Sequence, residues 1–362
     1  MAEKFNRKIV IEDGTEYYGF GFGADCEKVC EIDFNTSVVG YQEIISDPAS
    51  TGLMLVMTYP LIGNYGITDE DFESKLPTIG ALIVRENNES PSNFRYTKKL
   101  SELLYENDIP AIEGIDTRAL TRAIRDNGTK KAIITSAETS KEDALKAIAA
   151  AKIDEAAAKE VSCKKKWYSR TSNHKFNIVA IDCGIKRSIM KSLNHRGCNI
   201  TVVPFNTSAN EIIAMDPDGI YVSSGPGNPA SMTETVETIK TLKGKYPMFA
   251  TGLGMDIVAI AYGAKTYKMK FGHRGGNNPV KATKTGYVKV VGQNHDYAVD
   301  ADSVKGTELE ITLVNSLDNT VEGIECKKDK LIATQYYPDH SEGPFGTKCM
   351  FDRFIDLMEE AK

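Results

Sequence analysis

The spacing of apolar residues divides the chain in two. Up to about residue 153, short apolar runs over 8–11, 16–20, 53–57 and 81–84 predict strands, and apolar positions recurring every three to four residues predict helices over 99–107, 117–127 and 141–151. The two kinds of element are mixed without strict alternation, which reads as an α+β domain. Ser140 stands where an N-cap belongs, with Glu142 and Asp143 in the first turn behind it. The helix it opens is expected to run on through an alanine-rich stretch towards Lys159.

From residue 176 the pattern becomes regular. Apolar strands over 177–181, 200–203, 219–222 and 248–250 alternate with helices over 186–195, 209–214 and 231–242, the last with Asn228 or Ser231 as its cap. An amphipathic helix over 350–358 closes the chain. Strand and helix in alternation are the signature of a parallel α/β sheet. Between the two patterns, Lys164, Lys165, Lys166 and Trp167, followed by Ser169, Thr171, Ser172 and Asn173, read as a linker. The expected organisation is a domain over 1–153, a linker over 154–175 and a domain over 176–362.

Length and composition agree with two cores and narrow the function classes. At 362 residues the chain exceeds what one core usually serves. A net charge of −6, with Lys and Arg scattered along the chain, argues against a nucleic-acid face. No run of eighteen apolar residues occurs, and the first residues are too polar for a secretory signal, so a cytoplasmic protein is expected. The seven cysteines are scattered and odd in number, which fits reduced thiols better than a disulfide framework. Cys26 and Cys30 have no second Cys/His pair at finger-like spacing, so no metal is expected there.

Three segments of the second half fall at the carboxyl ends of expected strands, where open α/β sheets place their chemistry. Ser223-Ser224-Gly225-Pro226-Gly227-Asn228-Pro229 is a glycine-rich turn whose N–H groups can face an oxyanion. Phe249-Ala250-Thr251-Gly252-Leu253-Gly254-Met255-Asp256 has the strand–turn–helix outline of a nucleophile elbow, but carries no nucleophile. The third is Gln335-Tyr336-Tyr337-Pro338-Asp339. The Gly252-Leu253-Gly254 turn is not a dinucleotide fingerprint, because Ile257 takes the place of the third glycine, and there is no Walker-type phosphate loop.

In order and spacing these segments resemble the class I glutamine amidotransferase domain, and the chain as a whole resembles the small subunit of carbamoyl phosphate synthetase. The first half carries Phe34-Asn35-Thr36-Ser37 with Gly40-Tyr41-Gln42-Glu43, Thr58-Tyr59-Pro60 with Ile62-Gly63-Asn64, and Ile115-Asp116-Thr117-Arg118. A generic amidotransferase domain would lack these. Lys268 through Asn277 and Gln293-Asn294-His295 extend the likeness, and His273 and His295 are expected to be structural. The resemblance implies an N-terminal small-subunit domain, an amidotransferase-like α/β domain and a large synthetase subunit as partner. It also implies a role in arginine and pyrimidine biosynthesis. ATP is expected only on that partner, with no cofactor in this chain.

The family's chemistry needs a cysteine thiolate, a histidine to handle its proton and a glutamate to orient the histidine. The matching positions here are Gly252, Tyr337 and Asp339. Glycine has nothing to attack with, and a phenol of pKa ~10 is a poor proton acceptor at neutral pH. Gly225 and Leu253 match the oxyanion donors, which act through backbone; Ser37, Gly227, Asn294 and Tyr297 still suit the family's glutamine site. In that site Asp256 replaces glutamine, Met255 histidine and Asp296 glycine. Buried unpaired carboxylates are costly, so the two new ones are expected to meet solvent, a cation or a different ligand.

A noncatalytic small subunit is the leading expectation. One alternative is a binding or sensing module in which Asp256, Asp296, Asp339 and His340 hold another small molecule or a cation. Another is an amidase with a relocated nucleophile, Cys183 or Cys349.

Overall fold

The computed structural model describes residues 4–339 and 349–362. The chain forms two compact units, Met1–Asp154 with Lys270–Arg274, and Glu155–Met269 with Gly275–Lys362.

The first unit is a closed barrel in the order Arg7–Ile11, Glu16–Gly23, Pro110–Glu113, Ala81–Ile83, Met54–Met57, Lys28–Asn35 and Lys130–Ser136, which returns to Arg7–Ile11. Four neighbours, from Lys28–Asn35 to Pro110–Glu113, run parallel, and the remaining pairs are antiparallel. Met54 and Val56 pack on one face with Ile9, Ile32 and Leu120, while Leu55 and Met57 pack on the other with Ile44, Leu100 and Leu104. Burial on both faces is why these strands are written as continuous apolar runs. The helices Leu100–Glu106, Thr117–Asn127 and Lys141–Ala150 lie where the spacing predicts, and Ser140 Oγ accepts from Asp143 N at 3.1 Å as the cap. The third helix stops at Ala150 instead of running on, and a separate short helix spans Ala157–Val161. Asp33 forms a fully buried ion pair with Arg274 and also accepts from Gly272 N at 2.9 Å, which ties Lys270–Arg274 into this unit.

The second unit holds a ten-stranded sheet. Its parallel core runs in the order Cys198–Pro204, Phe176–Asp182, Gly219–Val222, Met248–Thr251 and Leu331–Thr334. Antiparallel strands Val321–Cys326 and Glu310–Asn315 extend it on one side, followed by Thr266–Ala282 and Val288–Val299. On the other side, Trp167–Ser169 pairs antiparallel with Cys198–Pro204.

The stretch 154–175 is therefore no linker. It contributes Ala158 to the core, Ser162 Oγ as acceptor for Phe205 N at 3.1 Å, and an edge strand. Its lysines and serines satisfy an edge exposed to water, and such an edge has the composition of a linker. The helix Leu253–Ala261 is buried almost all round, with Ile257 and Val258 in one continuous core with Val222 and Ala250. No helix among the described residues is long and apolar enough to cross a membrane.

Candidate functional site

The carboxyl ends of the four central parallel strands lead into Lys186, Gly225, Gly252 and Tyr337. Met248–Thr251 ends in Gly252, which has φ 53° and ψ −125° and opens the helix Leu253–Ala261. L side chains rarely occupy that conformation, yet it is the strained turn that an elbow needs to lift a side chain clear of the sheet. The backbone is pinned by Gly252 N donating to Thr334 O at 2.9 Å. A Cβ placed on Gly252 would sit 3.0 Å from Ser224 Cβ, a tight fit that one small side chain can meet by a slight shift. The elbow is thus intact as backbone and empty of chemistry.

Close packing fixes the glycines around it. A Cβ on Gly225 would lie 1.9 Å from Cys183 O, and one on Gly254 2.4 Å from Val222 O, so both positions admit only glycine. Gly227 has φ 89° and sits against Glu155 O. Leu253 is buried at the first position of the helix, behind Gly252. Ser224 Oγ is buried with no hydrogen-bond partner among the described residues.

At the end of Phe176–Asp182, Asp182 Oδ1 accepts from Gly184 N and Ile185 N, both at 2.9 Å, and the tight turn this makes delivers Lys186 to the site. The Lys186 side chain is fully buried, with Nζ 3.4 Å from Asp339 Oδ2 and 4.0 Å from the centre of the Tyr337 ring. Ser188 Oγ donates to the same Asp339 oxygen at 2.5 Å. Tyr337 is itself buried, its N donating to Gly292 O at 2.9 Å. Tyr337 and Asp339, which the sequence places as a degenerate base and its orienting acid, are thus built around a buried ammonium. An ammonium has protons to donate and no lone pair to take one, so it cannot serve as the missing base while charged. Sequence reading missed Lys186 and Ser188; the only signal was a lysine four residues past a buried strand.

Asp256 is shielded from solvent. Its side chain is buried, and Oδ2 accepts from Gln335 Nε2 at 3.0 Å, while Oδ1 has no hydrogen-bond partner among the described residues. Burial, reinforced by the nearby Glu322 carboxylate, pushes Asp256 well above the usual carboxylate range, outweighing the Gln335 hydrogen bond. Neutralisation is a further way out of the desolvation penalty. Gln335 Nε2 also donates to Tyr297 O at 3.0 Å and lies 3.0 Å from His295 Nδ1. Asn294 is buried on the same strand, and Asp296 is half-buried. Ser37 belongs to the first unit, where it is buried and its N donates to Asn35 Oδ1 at 2.8 Å. His340 lies outside the described residues.

The raised Asp256 carboxyl has a measurable sign. Its folded-state value lies above its unfolded one, so the folded protein binds the proton more tightly between the two, and stability falls as pH rises through that interval. Asp256→Asn keeps an acceptor for Gln335 and removes the titration. Thermal melts at pH 5 and pH 8 are expected to show the variant gaining at pH 8 relative to the parent, with a flatter pH profile.

Of the two alternative cysteines, Cys183 does not resemble an activated nucleophile. Cys183 is fully buried, and desolvation together with the Asp182 carboxylate pushes its thiol up, away from the thiolate. Cys349 is exposed and lies 3.5 Å from Lys289 Nζ on a wall shared with Lys327 and Arg353. No disulfide joins any described cysteine.

Known proteins place this geometry in a family. Residues 179–357 match the family described as Glutamine amidotransferase class-I, and residues 9–134 match Carbamoyl-phosphate synthase small chain, CPSase domain. The carbamoyl phosphate synthase small chain of Staphylococcus saprophyticus is 44% identical over 98% of this chain and 97% of its own length. The chain belongs to the carbamoyl phosphate synthase small chain family. The small chain of Fusobacterium nucleatum is likewise 44% identical, over 97% of this chain and 98% of its own, and that of Listeria innocua 43% identical over 97% and 96%. The chain is therefore a small subunit, with the barrel unit as the small-chain domain and the parallel-sheet unit as the amidotransferase domain.

Proposed function

We propose that this small subunit has lost glutamine hydrolysis and acts as a noncatalytic partner of a large synthetase subunit, which then draws on free ammonia. The observation that carries the reading is Gly252: the strained elbow, its pinning hydrogen bond and its glycine neighbours persist, while the atom that would attack glutamine is absent. The two other triad positions point the same way. Tyr337 supplies a phenol in place of an imidazole, and Asp339 is engaged by Lys186 and Ser188.

Retention of a whole amidotransferase domain without its nucleophile makes sense if its surface still serves an assembly. The barrel unit, whose motifs match the small-chain description, supports the same conclusion. ATP, on this reading, belongs to the partner.

The test is co-expression with a large subunit, followed by co-purification and carbamoyl phosphate formation with ammonium or with glutamine as the nitrogen source. A stable complex that works with ammonium and not with glutamine is the expected result. Glutamine-dependent synthesis lost on Cys183→Ala or Cys349→Ala would replace this reading with a relocated nucleophile.

A further inference from the structure

The second unit contains a cavity of about 430 Å³ that the degenerate glutaminase site does not use. It opens beside the strands Thr266–Ala282 and Val288–Val299 and is closed on its other side by the helix Cys349–Glu359. A volume of this size suits a small organic ligand, for which sites of about 300–1,000 Å³ are usual.

The wall has two chemistries. Val280, Val291, Tyr336 and Met350 are buried and form an apolar floor. Above them stand Lys284, Lys289, Lys327 and Arg353, against which Glu325 is the one carboxylate among the described residues of the lining. Arg353 donates to Glu325 Oε1 at 2.7 Å, and Lys284 lies 2.7 Å from Glu310 Oε1 in an exposed pair that contributes little. The described lining is thus rich in cations, in a chain of net charge −6. Such a concentration of one sign over an apolar floor focuses the field on an anion and leaves the rest of the ligand to be desolvated.

We propose that this cavity is a binding site for a small organic anion, a carboxylate or phosphate carried on a flat apolar body. Lys289 and Lys327 hold the anionic group, and the body lies against Tyr336, Val280 and Val291. Tyr336 gives the site a route to the rest of the domain. Tyr336 lines the cavity while Tyr337, next in the chain, packs against Lys186. The cavity thus backs onto the backbone that carries the degenerate triad.

The full-length chain would be titrated calorimetrically with 1-naphthyl phosphate, 1-naphthoate and the neutral 1-naphthalenemethanol. Saturable one-to-one binding of the anions, at least about tenfold tighter than the neutral compound, is expected. The tighter of the two anions identifies the preferred head group. Lys289→Glu/Lys327→Glu, on a half-buried and an exposed side chain, should weaken the anions at least about tenfold while leaving the melting temperature close to the parent. Independently, the bound anion should slow alkylation of the exposed Cys349 by iodoacetamide, which locates it in the cavity. Unsaturable binding, affinity indifferent to the charge reversals, or Cys349 alkylation unchanged at saturation would each overturn the proposal.

Discussion

Glutamine hydrolysis by this chain is expected to fall about 10⁶-fold or more below that of an intact amidotransferase triad, and Gly252→Cys alone should leave it undetectable. A factor of 10⁶ corresponds to about 8 kcal/mol of lost transition-state stabilisation. Triad members act as a unit, so a cysteine returned to the elbow still lacks a base to take its proton. Lys186, which faces Tyr337, cannot substitute while it is charged. Gly252→Cys/Tyr337→His should therefore give the first measurable ammonia release. Its rate should be limited by poor glutamine binding, since Met255, Asp256 and Asp296 remain altered. Ammonia release from glutamine, measured with and without a large subunit for the parent and both variants, checks the order. Hydrolysis by the parent, or by Gly252→Cys alone, would show that another group supplies the missing proton transfer.

Lys186→Met is expected to destabilise the second unit by about 3–5 kcal/mol, the usual cost of leaving one partner of a buried ion pair uncompensated. The Asp339 side chain is 1% exposed, and its close partners are Lys186 at 3.4 Å and Ser188 at 2.5 Å. Without the ammonium, a desolvated carboxylate loses a cationic partner, so the side chain must pick up a proton or open a path to water. Lys186→Met/Asp339→Asn removes the orphaned charge as well and should recover most of the loss. Urea denaturation of the parent, the two single variants and the double variant closes the cycle. A double variant no more stable than Lys186→Met would mean that the lysine matters for packing against the Tyr337 ring and not for its charge.

Particular elements show where local signals suffice. The helix Thr117–Asn127 lies where its spacing puts it, and the strand Gly219–Val222 likewise, because an amphipathic period and a short apolar run are local properties. Strands Lys28–Asn35, Pro110–Glu113 and Lys130–Ser136 escaped sequence reading. The first and last mix polar with apolar residues, and the middle one opens on a proline. All three exist because barrel neighbours far away in the chain complete their hydrogen bonds, as when Arg7 pairs with Ser136. The edge strand Trp167–Ser169 passed for a linker for the related reason that one side of it faces water.

On the proposed reading, what this chain lacks in chemistry is written in residue identity. A glycine at 252 and a tyrosine at 337 remove a thiol and an imidazole whatever the packing around them, and the family likeness follows from the order and spacing of motifs. What occupies the altered site was decided by tertiary structure. Asp256 carries a charge in the sequence, and only its burial, with the Glu322 carboxylate nearby, shifts it towards the neutral form. Lys186 reads as the start of a surface helix until the sheet folds it beneath Tyr337 and against Asp339. Protonation and ion pairing depend on the water excluded and on the charges brought within a few ångströms, and a linear order of residues specifies neither until the chain closes around them.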